Sequence, residues 1–177
     1  MRMLKKVIIF LLVLVALVIA LRILNWFGAT TAIEGIRRFN SLEEAHHQLR
    51  LRTLYLPSYF PDYLEWPPFE ILGQTTPYKL VLLHIRNQES KEVVLAIRQV
   101  ESAEVKPPAT RLEPFHAGRE EAVQLHEHTA LLEEGRCADN APCTRISWSE
   151  QSHHLNVILK DGREEILRIA SSMEVER

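Results

Sequence analysis

The chain has 177 residues, and its eight histidines are the side chains best suited to hold a metal ion. Two of them, His126 and His128, flank Glu127. On a β-strand, residues two apart share a face, so both imidazoles would project to the same side. His153, or its neighbour His154, would supply a third nitrogen from an adjacent strand. The result would resemble a three-histidine site with an open coordination position, suited to zinc or copper. The competing reading is that these histidines lie on polar, solvated strand faces. His46, His47 and His116 have no evident partners in the sequence and read as surface residues.

Other reactive side chains point away from catalysis. Cys137 and Cys143 sit in RCADNAPC, where Asp139-Asn140 and Pro142 mark a turn. In an oxidising compartment two such cysteines pair, which predicts a structural disulfide clipping a loop, worth roughly 2–3 kcal/mol at best. The spacing is not C-x-x-C, and a thiolate metal site would need two further ligands. Glu43-Glu44, Glu120-Glu121, Glu133-Glu134 and Glu164-Glu165 are adjacent pairs, whose carboxylates diverge instead of sharing a proton. No G-x-S-x-G, H-E-x-x-H, P-loop or G-x-G-x-x-G is present. These features predict a chain that is not an enzyme and carries no cofactor. Tyr59, Phe60, Tyr63 and Trp66 lie among Pro57, Pro61, Pro67 and Pro68. They form either a platform for a binding partner or a set of pins holding a long loop to the core.

The elements that must position these groups follow from periodicity. Ser41 and Glu44 fit a capping box, opening a short helix over 41–50. A brief strand at 53–56 leads into an extended, proline-rich loop at 57–68, where ladder amides are missing. YKLVLLHIR (78–86) and EVVLAIRQV (92–100) read as a hairpin across NQESK, and 102–113 as a crossing loop. Residues 120–133 hold one or two strands around His126–His128. TRISWS (144–149) and HHLNVIL (153–159) make a second hairpin, with Leu155, Val157 and Leu159 alternating as in a half-buried strand. Ile166, Ile169, Ala170 and Met173 then recur at i, i+3, i+4 and i+7, an amphipathic closing helix. The expected fold is α+β: an antiparallel sheet flanked by a short N-terminal helix and an amphipathic C-terminal helix.

Val7–Leu21 contains no polar side chain, and Ile23, Leu24, Trp26 and Phe27 resume the apolar character after Arg22. As a helix, 7–27 would reach roughly 31 Å, enough to span a bilayer core of ~30 Å. The division predicted is a cytoplasmic tail at 1–6, a transmembrane helix at 7–27, a linker at 28–38 and an extracytoplasmic domain at 39–177. A cleaved signal peptide is the rival reading, with Val18-Ile19-Ala20 or Thr30-Thr31-Ala32 as exits. Basic residues are balanced across the apolar run, but the short basic tail of Arg2, Lys5 and Lys6 favours retention inside. That orientation makes the chain a single-pass membrane protein, with its C-terminal domain outside the cytoplasm. Residues 39–177 carry fifteen Lys/Arg against twenty-two Asp/Glu, a sign that disfavours nucleic acid as a partner.

The succession SLEEA (41–45), LPSYFP (56–61), a hairpin, a strand carrying TALL (129–132), the ISW hairpin (146–148) and EEILRIASSM (164–173) resembles a little-characterised bacterial extracytoplasmic domain. That family stands behind single transmembrane helices, sometimes in anti-sigma-factor-like and sporulation-associated proteins. The likeness covers roughly 40–174. The cysteine loop departs from the family pattern, and only six residues precede the apolar run, too few for a zinc-binding anti-sigma segment. The resemblance implies a fold and a compartment, a bacterial inner (cytoplasmic) membrane with the domain outside the cytoplasm, and carries over no site residue. The expected role is an interaction or sensory module that meets an envelope protein partner. The alternative is a metal- or small-ligand-binding envelope protein using His126, His128 and His153 or His154.

Overall fold

The structure is a computed structural model that describes residues 35–101 and 107–175. The predicted transmembrane helix at 7–27 lies outside the described residues, as do most of the predicted linker and positions 102–106. Among the described residues no helix is long and apolar enough to cross a membrane. A compact unit begins at Arg37, two residues ahead of the expected start.

Ten strands and two helices follow in chain order: β1 (Arg37–Phe39), α1 (Leu42–Leu49), β2 (Tyr55–Pro57), β3 (Glu70–Gln74), β4 (Leu80–Arg86), β5 (Val93–Val100), β6 (His116–Leu125), β7 (His128–Arg136), β8 (Pro142–Glu150), β9 (His153–Leu159), α2 (Arg163–Ser171) and β10 (Met173–Val175). Eight strands form one antiparallel sheet in the order β1-β3-β4-β5-β9-β8-β7-β6, and β10 pairs with β2 apart from it. The α+β expectation therefore holds. The sheet is two meanders, β3-β4-β5 and β6-β7-β8-β9, joined where β5 meets β9 with Ile97 opposite Val157. This central position explains why β4 and β5 are buried on both faces: each is covered above and below.

One face of the sheet carries the helices. Ala45 and Leu49 of α1, with Ile166, Ile169 and Ala170 of α2, pack on Val81, Leu83, Ile85, Leu95, Ile97, Leu155 and Val157. Ser41 caps α1, its Oγ accepting from the Glu44 amide at 3.0 Å, while the Glu44 carboxylate reaches back to the Asn40 amide at 2.9 Å. Close approach of α1 to the sheet requires Gly73, where a Cβ would overlap a Leu49 methyl and the Leu80 carbonyl oxygen. The opposite face is crossed by a strap, residues 107–115, whose Leu112 packs with Ala96, Ile158 and both cysteines.

Several elements differ from expectation. β1 forms across the predicted boundary between linker and domain, and β3 and β10 are added strands. Each is three to five residues long and gains its order from a neighbour, so no hydrophobic period announces it. β6 starts at His116 instead of Glu120, because an edge strand with most residues exposed shows no alternation.

Candidate functional site

The predicted metal histidines are not brought together. His126 is not on a strand with His128. It is the first residue of the two-residue turn between β6 and β7, at a left-handed φ of 52°, and its Nε2 donates to the Ser171 carbonyl at 2.6 Å. His128 Nε2 lies 3.8 Å from Glu150. His153 is buried on β9 and meets the Tyr55 ring edge-on at 5.5 Å. His154 faces the other way, its Nδ1 3.3 Å from Ser149 Oγ, and burial lowers its pKa with help from the Arg98 charge. Among the described residues no group of three or more His, Cys, Asp or Glu side chains is placed to hold a metal ion. The strand-face argument fails at the turn: two positions between β6 and β7 reverse the chain and separate the imidazoles.

Cys137 and Cys143 form the predicted disulfide, and both are buried. The loop that they close donates the Ala138 amide to the Leu112 carbonyl at 3.1 Å, so the bridge also fastens the strap.

The aromatic loop divides. Tyr59 donates its hydroxyl to Glu165, and the Arg168 guanidinium covers its ring at 4.3 Å. Tyr63 donates to Asp161 at 3.0 Å, and burial followed by that hydrogen bond pushes its pKa up. Both rings and Phe60 pack against the helix-side core, so they pin the loop. Trp66 remains 42 % exposed, its ring 4.4 Å from that of Phe60.

Beneath the strap lie charged groups that periodicity did not single out. Glu70 on β3 is 6 % exposed and accepts two hydrogen bonds from the Arg111 guanidinium, at 2.7 and 2.8 Å. These bonds, with a smaller contribution from His84, hold the Glu70 carboxyl down at about 2. His84 on β4 touches Glu70 through Nδ1 at 2.8 Å and the Arg111 backbone amide through Nε2 at 3.1 Å. A backbone amide only donates, so Nε2 must be bare and Nδ1 must carry the proton. Burial keeps this ring neutral by lowering its pKa, against the pull of Glu70. A second cluster joins Arg98 of β5 to Glu113 at 2.9 Å, the Pro108 carbonyl at 3.1 Å and Asn156 at 3.4 Å. A third pairs Glu133 with Arg145, whose guanidinium sits 4.4 Å over the Phe115 ring. The signal available in the sequence was a lone charge or histidine inside an apolar strand run, at His84 and Arg98.

A cleft of about 310 Å³ opens at the end of the sheet, lined by Arg52, Thr53, Lys79, Glu101 and the β8–β9 turn with His153. Gln151, left-handed at φ 53°, bends that turn so that Ser152 and His153 stand on the cleft wall. Lys79 donates to the Arg50 carbonyl at 2.8 Å and lies 3.5 Å from Glu101. Glu101 in turn is 3.7 Å from His153 Nε2, beyond hydrogen-bond reach. Both ring nitrogens of His153 are buried without a hydrogen bond. An unpaired buried group of this kind costs about 1–3 kcal/mol. No protein-family model matches the chain, and no curated protein or solved structure matches it significantly.

Proposed function

We propose that the chain is a membrane-anchored, extracytoplasmic module that binds an envelope protein and performs no catalysis. The observation that carries the reading is the buried Cys137–Cys143 disulfide, which fits an oxidising compartment. The apolar run 7–27 supplies the anchor, and the short basic tail before it supplies the orientation. The resemblance to bacterial domains that stand behind single transmembrane helices agrees with both. Within the aromatic loop, the exposed Trp66 backed by Phe60 is the contact surface, since Tyr59 and Tyr63 spend their hydroxyls on α2 and the turn before it. Aromatic anchors of this kind are enriched where protein interfaces concentrate their energy.

The test is crosslinking of the full chain in native membranes, read by mass spectrometry, with W66A beside the unaltered protein. One reproducible partner that W66A loses supports the module. A partner retained at full yield by W66A overturns the assignment of the surface. A reporter fused after Arg177 should be active only if it functions outside the cytoplasm; activity of a cytoplasm-only reporter overturns the compartment.

A further inference from the structure

We infer that the cleft beside His153 is a binding site for a small oxyanion, a carboxylate or phosphate group carried on a compact molecule. Three observations meet there. First, the wall contains a polar ring 6 % exposed, with neither nitrogen hydrogen-bonded. The ring stands on the cleft wall with its hydrogen-bonding capacity unused, at a position where such groups are ordinarily paired. Second, Arg52 at the mouth makes no hydrogen bond or ion pair among the described residues, and the same holds for the side chains of Thr53 and Ser152. Third, the charge is inverted relative to the surroundings: Arg52 and Lys79 face the single carboxylate of Glu101, in a domain where acidic side chains outnumber basic ones.

The chemistry of the lining selects the ligand class. Arg52 offers a planar fork that matches the paired oxygens of a carboxylate or phosphate. Thr53, Ser152 and Gln151 add neutral donors at the rim. Lys79 is tied to the Arg50 carbonyl and to Glu101, so it contributes fixed positive potential. His153 stands on the same wall, so its ring reports on a ligand held in the cleft. The Glu101 carboxylate in the lining disfavours a polyanion, which restricts the site to one terminal oxyanion. The volume, about 310 Å³, lies at the small end of ligand pockets.

The experiment is a titration of the full chain in neutral detergent with inorganic phosphate and, separately, with acetate. Ionic strength is held constant with chloride, and the imidazole nitrogens of His153 are followed by NMR. The expected result is a saturable shift of the His153 signals with at least one of the two probes. R52Q should weaken the affinity by about 10-fold or more, and R119Q, on the edge strand β6 at the opposite end of the sheet, should leave it unchanged. No saturable shift with either probe overturns the proposal. So does a shift of equal affinity in R52Q, which places the anion elsewhere. Circular dichroism of R52Q, an exposed position, separates lost binding from lost fold.

Discussion

On the helix side of the sheet, Leu83, Ile97 and Val157 meet Leu49, Ile166 and Ile169, apolar against apolar. On the strap side, a short apolar patch around Leu112 is framed by Glu70 with Arg111 and His84, Arg98 with Glu113, and Glu133 with Arg145. The first closure is non-directional and indifferent to pH, since it rests on area removed from water. The second depends on protonation states and on one covalent bridge. One face therefore holds the domain together under most conditions, while the other is conditional.

The largest effect that would break this contrast is on the helix side. L83A removes a fully buried side chain facing α1, and it should cost about 3 kcal/mol in a denaturant melt, equally at pH 7 and pH 5. C137S/C143S comes next, at about 2 kcal/mol. Its signature is local: the Ala138 amide, bonded to Leu112, should lose hydrogen-exchange protection before the β4 amides do. A core-wide loss would show that the strap is not an independent layer.

The pH experiment sharpens the comparison directly. The Glu70 carboxyl is held at about 2, below its ordinary 4.5, so its stabilisation is full above 4.5 and is lost as pH falls toward 2. His84 is held neutral, below its ordinary 6.5, so its contribution is full above 6.5 and declines as pH falls below that value. A proton on Nε2 would set two donors against each other at the Arg111 amide. The Arg111 amide should therefore lose protection on acidification ahead of the helix-side core. E70Q should cost about 2 kcal/mol at pH 7 and flatten the acid limb; an unchanged limb would show that other carboxylates govern it. The smallest effect is W66A, about 1 kcal/mol or less in stability, with its consequence confined to partner capture.

The same division decides how much was legible in the sequence. The helix side obeys period: Ile166, Ile169 and Ala170 repeat at helical spacing, Leu155, Val157 and Leu159 at strand spacing, and Ser41 with Glu44 marks a helix start. Both hairpins and the cysteine loop followed from turn residues between such runs. The strap side has no period. Glu70 and Arg111 are forty-one positions apart and meet because β3 and the strap share a face. His84 reads as an interruption of an apolar run until its two neighbours are known. His126 illustrates the reverse error: a correct rule for strand faces was applied across a turn. The cleft was reached only in part, through His153, because Arg52, Lys79 and Glu101 are ordinary charges that acquire meaning from where the ends of β4, β5 and β9 converge.

The seam between β5 and β9 also governs the order in which the chain completes itself. β5 is paired with β4 as soon as both exist, but its other edge waits for β9, about sixty residues later. At biosynthetic rates that interval is roughly 3–12 s. Throughout it, a strand carrying Leu95 and Ile97 has an open ladder of amides and carbonyls, the kind of edge that pairs with the wrong chain. Arg98 sits within this strand, and a charge at such a position deters mispairing until Asn156 and Glu113 arrive to receive it. Pulse-labelled refolding should find the outer amides of β5 and those of β9 protected in the same phase; earlier protection of β5 would mean that the first meander closes on something other than its native neighbour.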